Sequence, residues 1–219
     1  MAFFLIFLLG PFFGSSVKRI TDLLFLVILI ASFKAVEKHH RVLYLAIFLS
    51  IGSLFSPARS FGLTPHYPAL AIWEQLSSAL FLVIICGTIM RDILWKRQVT
   101  MDSVLGAACV YLLIGLFWSR VFLLLELAQP GSFALPCLAQ MGDRLPLTPL
   151  PAEAQGEMIY FSYITLTTVG YGDFLPISME ARMLSVLEAI FGQLFIAITI
   201  GNLVGLAVSN KSFQSGSTT

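Results

Sequence analysis

Apolar runs dominate this sequence, and the longest of them, Ala69 to Trp95, Val104 to Leu127 and Ala181 to Val208, are broken up at neither the helical nor the strand period. A surface helix or half-buried strand alternates apolar and polar residues, whereas a segment surrounded by lipid is apolar all round. About 20 such residues cross a bilayer as a helix. Lipid satisfies no backbone N–H or C=O, so a spanning segment must satisfy its own, and runs of this length do so as helices. The composition agrees: 58% hydrophobic and 11% charged, against about 45–50% and about 25% in soluble domains. This excludes a water-soluble globular protein.

Three shorter runs, Ala2 to Phe13, Ile20 to Phe33 and Val42 to Phe55, bring the expected number of transmembrane helices to about six. The first fits two readings, a retained membrane segment or the apolar part of a signal peptide. Met1-Ala2 runs into Phe3 without a basic start, which favours retention, while Gly14, Ser15 and Ser16 resemble a cleavage site. Lys34, Lys38 and Arg41 mark one loop as cytoplasmic and Arg91, Lys96 and Arg97 another, which places both chain ends inside. Lys18 and Arg19 run against that bias. No long-period repeat supports a transporter built from duplicated halves.

The net charge of +1 gives no electrostatic footprint for nucleic acid. The three cysteines, Cys86, Cys109 and Cys137, form neither a disulfide framework nor a zinc spacing. No nucleotide loop or nucleophile–base set appears, so no enzyme is expected. His39-His40 reads as an ordinary solvated loop rather than a pH sensor.

The loop from Gln129 to Gln155 carries Pro130, Pro136, Pro146, Pro149 and Pro151 and reads as an extended extracellular turret. The stretch after it, about Gly156 to Thr167, is too short and too rich in Tyr, Ser and Thr to cross. It fits a re-entrant helix, which a membrane tolerates where protein buries it. Residues 210–219 read as a disordered cytoplasmic tail with no further domain after it.

Thr165-Leu166-Thr167-Thr168-Val169-Gly170-Tyr171-Gly172-Asp173 follows the re-entrant stretch and precedes the last run. These residues resemble the filter signature of the tetrameric potassium-channel family, in the apolar context that such a motif requires. The resemblance implies a loop whose backbone carbonyls replace the hydration shell of K+. Carbonyls of Thr168, Val169, Gly170 and Tyr171, with the Thr168 hydroxyl, would line the ion sites, and Gly172 completes the filter. Successive carbonyls face one axis only if the backbone alternates in handedness, which Gly170 and Gly172 permit without a Cβ penalty. Val169 and Tyr171 then take the other conformation and point outward into protein. Thr167 and Asp173 support the loop. Asp173 sits at its outer mouth, and the resemblance gives Tyr160 as its hydrogen-bond partner, with Phe161 and Tyr163 also behind the filter. Some relatives carry a glutamate where this chain has Ile164.

One loop per chain cannot enclose an axis, so four identical chains are expected, with K+ as the bound ion and no other cofactor. The dipole of the re-entrant helix would steady a cation at its C-terminal end. In the last run Gly192 falls near the family's hinge position, where close packing is the plainer reading. Gln193, Ile196, Ile200 and Val204 would form a cavity stripe, and Gly201 and Gly205 a small-residue contact pattern.

The expected organisation is all-α. Residues 1–98 form a four-segment membrane region resembling a degenerate voltage sensor, and residues 99–209 form the pore domain. A voltage sensor repeats arginine every third residue, yet the fourth run has Glu74 near its outer end and Arg91 near its inner end. Steep voltage dependence has no source there. The layout resembles small six-segment prokaryotic channels of the non-voltage-gated type. Arg120 and Glu188 lie at matching depths and either pair, within or between subunits, or else Arg120 snorkels while Glu188 bonds to hydroxyls of the re-entrant helix.

Overall fold

The computed structural model describes residues 68–95, 101–134 and 152–216. The runs Ala2 to Phe13, Ile20 to Phe33 and Val42 to Phe55, the His39-His40 pair and the part of the turret holding Cys137 lie outside the described residues. Four helices make up what is described: α1 (Pro68–Trp95), α2 (Met101–Ala128), α3 (Ala152–Leu166) and α4 (Met179–Gly216). Three of them are long and apolar enough to cross a membrane, over Ala69–Ile93, Ser103–Ala128 and Met179–Asn202. With 15 residues α3 is only about 22 Å long, too short to span.

Local chemistry sets the helix ends. Pro68 opens α1, where its missing N–H costs no hydrogen bond. Ser178 caps α4 by accepting the Ala181 N–H on its hydroxyl at 3.1 Å, and Glu180 adds a negative charge to the first turn. Two boundaries differ from the sequence reading. α3 starts at Ala152 rather than near Gly156, because the Ala152–Gln155 stretch favours helix and the interior Gly156 costs only about 1 kcal/mol. α4 runs to Gly216, so residues 210–216 are helical rather than a disordered tail. Extending an existing helix carries no nucleation cost, and no glycine or proline intervenes between Gly205 and Gly216.

α2 packs against all three other helices. On one side Phe81, Leu82 and Ile85 of α1 meet Leu113 and Leu116 of α2 and Ile159 of α3. On the other, Trp118, Phe122 and Leu123 of α2 enclose Met158, Phe161 and Ile164 of α3, together with Phe133 and Phe174 from the connecting segments. Those segments are stitched by one isolated antiparallel bridge between Phe133 and Pro176. The Ala134 N–H donates to the Leu175 carbonyl at 2.9 Å and the Ile177 N–H to the Ser132 carbonyl at 2.7 Å. α4 stands apart: only 17% of its most apolar stretch is buried, against 50% for α1 and for α2.

Candidate ion-conduction site

α3 ends in hydrogen bonds that set the backbone of the loop after it. The Thr168 N–H donates to the Thr165 carbonyl at 3.0 Å and the Val169 N–H to the Ile164 carbonyl at 2.8 Å, the pair of bonds that defines a Schellman cap. Such a cap needs a left-handed residue, and Thr168 fills that place with φ 59°. Glycine normally occupies it; a β-branched residue there bears about 1–2 kcal/mol of strain. Gly170 at φ 53° and Gly172 at φ 78° follow. Positive φ therefore falls on every second residue from Thr168 to Gly172. The sequence reading placed left-handed backbone at the two glycines and missed Thr168.

Side chains brace this loop from three directions. The Tyr160 hydroxyl donates to Asp173 Oδ2 at 2.7 Å, and this bond pushes the phenol from its ordinary value near 10 up to about 12. The Thr167 hydroxyl donates to the Tyr163 carbonyl at 2.6 Å. Behind the loop Phe161 lies tilted against Phe174 at 4.8 Å between ring centroids and meets Phe122 and Phe133 edge-on at 5.2 and 5.5 Å. These are separations at which rings attract beyond their buried area.

The C-terminal end of α3 is seated closely on its neighbours. The Leu166 carbonyl accepts from the Tyr111 hydroxyl of α2 at 3.1 Å. A Cβ on Gly192 of α4 would come within 2.6 Å of that same carbonyl oxygen. Gly192 is thus a close-approach glycine within a continuous helix. Gly115 plays the same part on α2: a Cβ there would sit 2.6 Å from the Tyr163 ring, whose hydroxyl donates to the Leu112 carbonyl at 2.6 Å.

The two charged residues at matching depth do not meet within one chain. Arg120, only 6% exposed, donates to Gln75 Oε1 of α1 at 3.2 Å and does not snorkel. Glu188 lies 2.5 Å from the Ser162 hydroxyl of α3, so within one chain it bonds to the re-entrant helix. Sequence reasoning missed Glu126, whose two carboxyl oxygens accept the backbone N–H of Gly131 at 2.8 Å and of Phe133 at 3.1 Å. A glutamate two residues before the end of α2 and ahead of Pro130-Gly131 was the available signal.

Thr167, Thr168, Val169, Gly170, Tyr171, Gly172 and Asp173 form one exposed loop at the end of α3. Val169 is 50% and Tyr171 72% exposed, so a single chain does not bury the side chains expected to point into protein. Gln193, Ile196 and Ile200 are exposed on α4, and among the described residues a Cβ on Gly201 or Gly205 would meet open space beyond the helix's own backbone. No curated protein and no solved structure matches the chain. A family model described as "Ion channel" matches residues 154–209, from α3 through the loop and along α4. Together with three apolar helices long enough to cross a bilayer, that match supports an ion channel in a membrane.

Proposed function

We propose that this chain is one subunit of a homotetrameric, potassium-selective channel that conducts passively and is not steeply voltage-gated. The observation that carries the reading is the alternation of left-handed backbone at Thr168, Gly170 and Gly172 with Val169 and Tyr171 between them. That alternation suits a row of carbonyl oxygens facing one side, supplied by Thr168, Val169, Gly170 and Tyr171. Such ligands are hard and uncharged, and they match a monovalent cation that must bind and then leave. Asp173, held by Tyr160, stands beyond them, where it raises the local cation concentration.

The surface that one chain leaves uncovered supports the tetramer. Among the described residues, Tyr171, Val169 and most of the Met179–Asn202 stretch of α4 leave their apolar surface exposed, and one loop encloses no axis. Gln193, Ile196 and Ile200 lie on one face of α4 and would line the cavity below the filter, while the seat of Gly192 on Leu166 favours packing over a hinge. α1 carries one basic residue, Arg91, where a voltage sensor needs about three to four gating charges per subunit. The loop charges favour the inner membrane of a cell with both chain ends cytoplasmic.

The test is potassium-over-sodium flux into liposomes holding the purified protein, with barium as blocker and Gly170→Asp or Tyr171→Ala as controls. Selective flux lost in both controls is the expected result. A stable tetramer without flux would instead mark a subunit that modulates another channel.

A further inference from the structure

Ser162 is fully buried on α3, and its hydroxyl oxygen lies 2.7 Å from the Gly115 carbonyl oxygen of α2 and 2.5 Å from Glu188 Oε1 of α4. A serine hydroxyl has one proton to give. The carbonyl has none, and neither has an ionised carboxylate. With Glu188 ionised, one of the two short contacts would press oxygen against oxygen with no hydrogen between them. With Glu188 neutral, Oε1–H donates to Ser162, and Ser162 donates to Gly115, so that both contacts become hydrogen bonds.

Two further observations point the same way. Glu188 is 0% exposed, and its partner among the described residues is a hydroxyl, not a cation. Its other oxygen, Oε2, is buried with no partner among the described residues, a position a neutral carbonyl oxygen tolerates far better than half of an anionic charge. The titratable groups facing it are Tyr111 of α2 and Tyr163 of α3. Both phenols spend their protons elsewhere, on the Leu166 and Leu112 carbonyls, so neither stabilises an anion at Glu188.

We infer that Glu188 is kept as the neutral acid and closes a directional relay, Glu188 to Ser162 to the Gly115 carbonyl, that joins α4, α3 and α2. It is a positioning residue, because Ser162 lies half a turn before Ile164, whose carbonyl anchors the amides of Val169 and Gly170. The link to conduction rests on the proposed function; the protonation state does not.

Infrared difference spectra of the full chain in lipid near neutral pH, wild type minus Glu188→Gln, test the state directly. A protonated-carboxyl stretching band that shifts in D2O and is missing from Glu188→Gln is expected; a carboxylate band in its place overturns the inference. Direction is tested by substitution. Glu188→Gln keeps a donor toward Ser162 and retains the wild-type unfolding midpoint and flux, whereas Glu188→Ala and Ser162→Ala each lower flux roughly tenfold. Glu188→Gln as damaging as Glu188→Ala would overturn the relay. Should the wild type carry no potassium, the channel reading fails on its own, and the infrared band and unfolding midpoints still decide the relay.

Discussion

The hydroxyl of Tyr160 reaches Asp173 Oδ2 at 2.7 Å, closing a clasp between residues thirteen positions apart, one in the middle of α3 and one just past the glycine-rich loop. Everything between them, including the strained Thr168, is held at both ends. Tyr160→Phe removes only the donor, and the potassium-over-sodium flux ratio is expected to fall roughly fivefold, since one hydrogen bond holding the loop is lost. An unchanged ratio would show that the aromatic packing alone holds the loop.

The same clasp has a pH window. Its phenol is raised from near 10 to about 12, chiefly because it donates to Asp173. A raised value means the protonated phenol is favoured in the folded state, so the contribution is complete below about 10 and is lost as pH rises toward 12. The difference in unfolding midpoint between wild type and Tyr160→Phe should stay flat from neutral pH to about 10 and shrink above it. A difference that vanished near neutral pH would refute the assignment.

Gly192→Ala places a methyl 2.6 Å from the Leu166 carbonyl oxygen and 2.9 Å from its Cδ1. Backbone cannot yield as a flexible side chain does, so α4 must move, at about 1–3 kcal/mol. Thermal unfolding in detergent reads this loss. A stability equal to wild type with altered gating would return the residue to a hinge role.

Glu126→Ala deprives two amides of their acceptor, but not equally. Gly131 is exposed and water replaces its bond, whereas Phe133 is 3% exposed and its N–H is left orphaned. The expected cost is about 1–3 kcal/mol, read as a lower unfolding midpoint, with Glu126→Gln losing less.

Thr168→Gly separates strain from ligation. Removing the left-handed β-branched residue should stabilise the chain by about 1–2 kcal/mol, and removing its hydroxyl should weaken potassium binding, measured by isothermal titration. Gains in both would deny the hydroxyl any part in holding the ion.

The spanning helices α1, α2 and α4 were legible from their apolar runs, and the Tyr160–Asp173 contact was implied by the resemblance. What stayed hidden depends on contacts that no period encodes. Gly115 is one small residue among many in α2 until the Tyr163 ring is seen lying across it. Ser162 looks like a polar defect in a re-entrant helix until Gly115 and Glu188 are found on either side of its hydroxyl. Arg120 and Glu188 agreed in depth, but depth fixes only one coordinate, and each found its partner on a different helix. The left-handed Thr168 was missed because its residue type argues against that backbone, which the cap nonetheless imposes.

The Ile164 carbonyl receives the amides of both Val169 and Gly170, at 2.8 and 3.2 Å. The end of the helix and the first steps of the loop are therefore one mechanical part with a fixed residue count. One residue inserted between Ile164 and Gly170 would turn the following chain by about 100° about the helix axis and aim its carbonyls elsewhere, whatever its side chain. At this junction insertions and deletions should be excluded more strictly than substitutions, and random libraries that vary length as well as identity would reveal it.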